Sequence, residues 1–171
     1  MADEDPRAAL LDLFDGALPR VYGYVLSRCG QRALAEDLTA ETFLAAVDAV
    51  RRPDPPPVSV AWLVGVARHK LVDHWRRQAR EERGLNALGA AGGGQEQDPW
   101  DERIDALRAR HVLQGLAPHH RAALTLRYLD DLSVAEVAVL LERTVHATEA
   151  LLVRARTAFR RAYAGEGETD V

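Results

Sequence analysis

Between Val60 and Arg83 the basic side chains Arg68, Lys70, Arg76, Arg77, Arg80 and Arg83 are interleaved with Trp62, His69, His74 and Trp75. Aromatic faces can receive unstacked bases while cations track the sugar-phosphate backbone, so this mixture suits an unpaired strand better than a duplex. Towards the C-terminus, His146, Glu149, Ala150 and Val153 stand at i, i+3, i+4 and i+7, which puts them on one face of a helix. In a DNA major groove a Glu can accept from a cytosine amino group and small apolar side chains can touch a thymine methyl. Arg143, Arg154, Arg156, Arg160 and Arg161 surround that face as phosphate-binding candidates. A third constellation has the opposite sign: Asp37, Glu41 and Asp48 share a narrow helical sector beside an apolar stripe of Phe43, Ala46, Val47 and Val50. An acidic stripe repels DNA and suits a basic protein partner. Each pattern also has a plainer reading, namely tryptophans in a core, arginines that confer solubility on an amphipathic helix, and a solvated acidic face. Trp62 reads as core, while Trp75 fits either role.

Catalytic chemistry finds little support. The histidines at 69, 74, 111, 119, 120 and 146 form no HExxH pair, and Cys29 is the single cysteine, so neither a zinc site nor an internal disulfide is expected. Gly92 to Gly94 are not followed by the Lys-Ser or Lys-Thr of a phosphate-binding loop, and no strand precedes them. No cofactor, no metal and no enzymatic activity are expected.

The elements that must position these residues are helical. Apolar residues recur at spacings of three and four through most of the 171 residues, and strand signals are nearly absent, so the expected fold is all-α. Helices are predicted over 7–28, 33–50, 60–83, 101–115, 118–129, 134–141 and 145–162. Prolines 53, 55, 56 and 57 make the connector from Arg51 to Ser59 a stiff loop. Ser133 and Glu136 have the spacing of a capping box, and Thr144 can cap the next helix, whose inward stripe would be Leu152, Ala155, Phe159 and Ala162. Two helices joined by so short a turn make a helix-turn-helix. The glycine- and alanine-rich stretch 84–100 has no apolar periodicity and reads as a flexible linker. It divides the chain into two small helical domains, 1–83 and 101–164, followed by an acidic tail, 165–171.

The net charge of −4 would be odd for a nucleic-acid binder if it were spread evenly. It is segregated instead: 1–50 is acidic, 51–83 basic, 84–105 acidic, 106–128 basic, 129–141 acidic and 142–164 basic. Such alternation fits a protein with some faces for phosphates and others for a protein partner, although charge mixing on solvated helices gives the same count. No run approaches the ~20 apolar residues of a spanning helix, and the first residues are acidic where a secretory signal is basic. No membrane insertion is expected, and the cytoplasm is the expected location.

The stretches AEDLTAETFLAAV (35–47), AWLVGVARHKLVDHWRR (61–77) and LAPHHRAALTLRYLDDLSVAEVAVLLERTVHATEALLVRARTAFRR (116–161) resemble regions 2 and 4 of extracytoplasmic-function sigma factors. The resemblance implies a factor that binds core RNA polymerase through the β′ clamp helices and the β flap. It further implies melting of the promoter −10 element by the N-terminal domain and reading of the −35 element by the C-terminal one. An anti-sigma protein is an expected partner, and the segment carrying Glu96, Asp98 and Asp101 would line a basic channel in the polymerase. On this basis Asp37, Leu38, Glu41 and Thr42 are the implied polymerase contacts. Arg51, Arg52, Trp62, Arg68, His69, Lys70, Asp73, Trp75, Arg76 and Arg77 are the implied −10 contacts, with His69 and the loop from Arg51 to Ser59 capturing a flipped base. Arg143, Thr144, His146, Ala147, Glu149, Ala150, Val153, Arg154 and Arg156 are the implied −35 contacts. Several positions depart from the family pattern: Ala40 for Gln, Val47 for Trp, His69 for Asn, Glu142 for Gly at the turn, and Glu149 and Leu151 where basic residues are frequent. A stand-alone helix-turn-helix regulator and a helical adaptor that never touches DNA are the competing readings.

Overall fold

The structure, a computed structural model, describes residues 5–85 and 106–166. Among them every regular element is helical. The chain separates into two compact units, Met1–Asp73 and His74–Val171, with the division falling inside one continuous helix. The linker expected over 84–100 and the acidic tail lie almost wholly outside the described residues.

In the first unit, helix α1 (Pro6–Cys29) starts where Asp5 accepts the Arg7 amide at 3.0 Å and Pro6 presets the first turn. It stops at Gly30, whose φ of 69° permits its amide to donate to the Leu26 carbonyl at 2.9 Å. Leu10, Ala17, Val21, Val25 and Cys29 form its buried stripe. Helix α2 (Arg32–Val50) packs against α1 and buries Ala35, Leu38, Thr39, Thr42, Phe43, Ala46 and Val50. The Phe14 and Phe43 rings meet edge to face with centroids 5.0 Å apart, a geometry that adds about 0.5 to 1.5 kcal/mol beyond area burial. After the proline loop, Ser59 accepts the Trp62 amide at 3.1 Å and starts α3 (Val60–Leu85). Along α3 the buried positions are Leu63, Ala67, Leu71, Val72, Trp75 and Ala79, a stripe at helical spacing.

In the second unit, α4 (Ala106–Gly115) is followed by α5 (Pro118–Leu124). The helix expected over 118–129 is not uniform: α5 passes into a π-helical turn, Thr125–Leu129, closed by the Asp130 amide on the Thr125 carbonyl at 3.0 Å. That wider turn keeps Leu124, Thr125 and Leu126 buried while Tyr128 and Leu129 face solvent. Helix α6 (Val134–Leu140) begins with the expected capping box, Ser133 Oγ accepting from the Glu136 amide at 3.2 Å and Glu136 Oε2 from the Ser133 amide at 2.7 Å. Helix α7 (Val145–Glu166) begins at Thr144, whose Oγ1 accepts the Ala147 amide at 3.1 Å. α4, α5 and α6 all pack on α7, which makes it the axis of the unit.

The turn between α6 and α7 is set by hydrogen bonds that demand a left-handed residue. The Arg143 amide donates to the Ala138 carbonyl at 2.9 Å and the Glu142 amide to the Val139 carbonyl at 3.1 Å, the paired bonds of a Schellman ending. Glu142, at φ 52°, occupies the position where such endings favour glycine. The turn is therefore intact despite the Glu, and the side chain bears the local strain. Its contact with the Arg76 guanidinium is exposed, and exposed pairs contribute under about 1 kcal/mol. Glu142→Gly should accordingly raise the unfolding free energy by roughly 0.5 to 1 kcal/mol, read as a higher urea midpoint at unchanged slope. A lowered midpoint would show that the carboxylate contributes more than its backbone strain.

Candidate nucleic-acid and protein interfaces

The rotational setting of α7 follows from its buried side. Thr148, Leu151, Leu152, Ala155 and Phe159 are all buried, and Ala162, assigned to the same stripe, is half-buried. The opposite side therefore faces outward: His146 and Glu149 are exposed, with Ala147, Ala150 and Val153 half-exposed between them. Thr144 and Arg154 are exposed and Arg143 and Arg156 half-buried at the margins of this face. Arg156 donates to the Tyr128 hydroxyl at 3.2 Å, while Arg127 lies over the Tyr128 ring, so the π-helical turn steadies one edge of the face. Tyr128 was not singled out by sequence, because its use depends on a turn that local spacing does not announce.

The basic and aromatic helix divides differently from expectation. Trp75, offered as a platform for bases, is completely buried and its Nε1 has no hydrogen-bond partner among the described residues. It is core, since stacking on a base needs an open ring face. Trp62, which read as core, is only half-buried. Trp75, which spacing left open, is thus the core residue, and Trp62 is the more exposed of the two. Arg51, Arg52, His69, Asp73 and Arg77 are exposed, and Arg68, Lys70 and Arg76 partly so.

On α2, Asp37 and Glu41 are exposed one turn apart. Leu38 and Thr42, grouped with them as contacts, are buried at 2% and 0%, and the Thr42 hydroxyl donates to the Leu38 carbonyl at 2.7 Å. These two hold α2 in place and offer no surface. The surface beside the acids is instead apolar: Ala40, Leu44 and Val47, at i, i+4 and i+7, are exposed. With Phe14, Leu18 and Tyr22 of α1 they line a groove of about 720 Å³. The sequence reading grouped Val47 with Phe43, Ala46 and Val50 in one apolar stripe; those three are buried while Val47 is exposed, and the groove was missed because it exists only where α1 and α2 leave these rows uncovered.

Comparison with known proteins agrees with this anatomy. The family described as Sigma-70 region 2 matches residues 13–81, and the family described as Sigma-70, region 4 matches residues 106–159. The ECF RNA polymerase sigma factor SigM of Bacillus subtilis is 30% identical over 147 residues, 84% of this chain and 88% of that protein. The ECF RNA polymerase sigma factor BldN of Streptomyces coelicolor is 32% identical over 147 residues, 84% of this chain and 56% of that protein.

This chain belongs to the extracytoplasmic-function sigma factors.

The sigma factor spans little more than half the length of the Streptomyces relative. The sigma factor RpoE of Bartonella quintana, solved in complex with the anti-sigma factor NepR, shares the fold, with a TM-score of 0.52 at 18% identity over 89% of this chain and 94% of that one. No described helix of the sigma factor is long and apolar enough to cross a membrane.

Two further residues fix the second unit and were not singled out by sequence. Arg121 donates from Nε to the Leu113 carbonyl at 3.1 Å and from Nη2 to the Gln114 and Leu116 carbonyls at 2.6 and 3.0 Å, capping the end of α4 from α5. Arg108 stacks over the Tyr163 ring at 4.1 Å and donates to the Tyr163 carbonyl, tying α4 to the end of α7. Their signal, an arginine near a helix end, is too common in sequence to be specific.

His119 and His120 begin α5 with ring centroids 4.2 Å apart. Burial, reinforced by His120 and by Arg143, Arg83 and Arg154, holds the His119 imidazole down to about 4. Burial and Arg154 lower His120 in the same direction. Both folded values lie below the ordinary 6.5, so on acidification the unfolded chain takes up protons that the folded chain refuses. Stability should therefore fall as pH drops through about 6.5 and level off below about 4. His119→Gln should shrink the loss in melting temperature between about pH 7 and about pH 5. An unchanged pH dependence in this variant would show that other groups dominate.

Proposed function

We propose that the sigma factor places two helical domains, 1–83 and 101–164, on two promoter elements while bound to core RNA polymerase, and that it acts by binding alone without catalysing a reaction. The observation that carries this reading is the outward setting of His146, Glu149, Ala150 and Val153 on a helix whose other side is fully packed. An exposed helical face with a carboxylate, small apolar groups and marginal arginines has the chemistry of major-groove reading, with Arg143, Arg154 and Arg156 on phosphates. In this reading α7 enters the −35 element, Thr144 and Ala147 lie at its leading end, and Glu149 accepts from a cytosine.

At the −10 element, the proposed strand-binding surface is Arg51, Arg52, Trp62, Arg68, His69, Lys70, Asp73, Arg76 and Arg77. The half-exposed Trp62 is its aromatic platform in place of Trp75. Asp37 and Glu41, with the apolar row Ala40, Leu44 and Val47 beside them, form the surface proposed for the β′ clamp helices. An acidic rim around an apolar strip suits a basic amphipathic partner, because the strip supplies burial and the rim sets register. The second domain is assigned to the β flap. Family membership further supports an anti-sigma protein as a partner and the cytoplasm as the site of action.

Run-off transcription with purified core polymerase on promoter fragments tests this reading, and absence of any promoter-specific transcript at several salt concentrations would sink it. Within that assay, Glu149→Ala should change preference at one −35 base pair by about 1 to 3 kcal/mol, while Arg154→Ala should weaken all sequences alike. Asp37→Lys combined with Glu41→Lys should abolish association with core polymerase yet leave the melting temperature within a few degrees of the parent. Retained association would remove α2 from the interface.

A further inference from the structure

Arg156 lies at the margin of the outward face of α7, and its Nη1 donates to the Tyr128 hydroxyl at 3.2 Å, a residue 28 positions earlier in the chain. Tyr128 belongs to the π-helical turn Thr125–Leu129 and is 43% exposed. Two sets of contacts fix it nevertheless. The turn is anchored by buried Thr125 and Leu126, and it is closed by the Asp130 amide on the Thr125 carbonyl at 3.0 Å and the Leu132 amide on the Leu126 carbonyl at 3.1 Å. The Arg127 guanidinium lies 5.7 Å from the Tyr128 ring centroid and is itself held by donating from Nη1 to the Leu132 carbonyl at 3.2 Å. An exposed hydrogen bond between side chains competes with water and does little for folding. Single π turns are rare within helices and concentrate at functional sites. The effect of the Arg156–Tyr128 bond is to hold one long, rotatable cation in one place.

We propose that Tyr128 is a positioning residue for −35 recognition: by accepting from Arg156 it orients that guanidinium towards one phosphate before DNA arrives. The inference rests on the placement of α7 in the −35 element and adds to it a residue outside that helix. An untethered arginine loses the freedom of several side-chain torsions when it grips a phosphate, and a guanidinium already held through one N–H has lost part of that freedom beforehand. The tether leaves capacity for the phosphate, since the hydroxyl takes one of several N–H donors. Arg127 steadies the ring and so acts one step further back. Tyr128 reads no base in this arrangement, and its contribution is the same for every sequence.

Promoter binding by the full chain in complex with core polymerase, measured over a series of salt concentrations on the fragment that gives the strongest run-off transcript, tests the proposal. Tyr128→Phe keeps the ring and removes the acceptor. It should weaken binding about two- to tenfold, the ordering cost of one long side chain, with a melting temperature close to that of the parent. The same factor should appear on fragments with altered −35 bases. The salt dependence of Tyr128→Phe should keep the parent slope, because Arg156 still neutralises its phosphate, whereas Arg156→Ala should lower the slope by about one phosphate contact. In the Arg156→Ala background Tyr128→Phe should have no further effect. Unaltered or tighter binding by Tyr128→Phe overturns the proposal. So does a changed slope or a loss that persists without Arg156, either of which assigns Tyr128 a phosphate contact or a folding role of its own. The −35 reading fails separately: it falls if Arg154→Ala and Arg156→Ala both leave affinity unchanged, and it stands if they weaken binding while Tyr128→Phe does not.

Discussion

The outward face of α7 is available because its opposite face is committed to the core. Thr148, Leu151, Leu152, Ala155 and Phe159 are buried beneath α4, α5 and α6, and each large side chain among them is worth about 1.5 to 3 kcal/mol when removed from water. Rolling the helix by one residue, about 100°, would expose several of these groups and bury Glu149, which has no partner inside. The rotational phase of the helix is thus set by hydrophobic burial. The polar and small residues proposed to read DNA need only occupy what remains.

Phase alone does not fix where a helix starts. That is done by hydrogen bonds at its ends, which fold the chain back sharply enough for α6 and α7 to meet. Ser133 with Glu136, the Schellman pair at Ala138 and Val139, and Thr144 satisfy consecutive orphan groups along the motif. Glu142 shows how strongly this network constrains the backbone: a residue that disfavours positive φ is held at 52° because two amides would otherwise lose their carbonyls. The departure from glycine changes the charge at the turn and leaves its path intact.

Helix positions were legible in the sequence because periodicity and caps are local. The capping box, the Thr144 cap, the proline loop and the inward stripe at Leu152, Ala155 and Phe159 all follow from residues within one or two turns of each other. What spacing could not decide was which apolar residues on a two-sided helix meet a neighbour. Trp75 lies in the continuous stripe from Leu63 to Ala79 and is core, whereas Trp62, one residue off that stripe, is left half-exposed. Leu38 and Thr42 sit one residue along from Asp37 and Glu41, and 100° of rotation carries them from surface to interior. The π-helical turn and the α1–α2 groove depend on how separate segments meet, so no window of sequence contains them.

The segregated charge acquires a physical reason once these faces are separated. Asp37, Glu41 and the exposed apolar row lie together on the first unit, while arginines stand just before α7, along its middle and end, and along the outer part of α3. A uniformly basic protein of this size would bind DNA everywhere with affinity set by salt, and promoter discrimination would be diluted across a genome of competing sites. An overall charge of −4 opposes that background, and in the proposed reading binding draws on the local basic faces together. If the groove faces the polymerase as proposed, the same residues serve two ends, since the charges that repel free DNA attract the partner that delivers it. Specificity in such a molecule comes less from the strength of any one contact than from requiring two weak faces to be satisfied together.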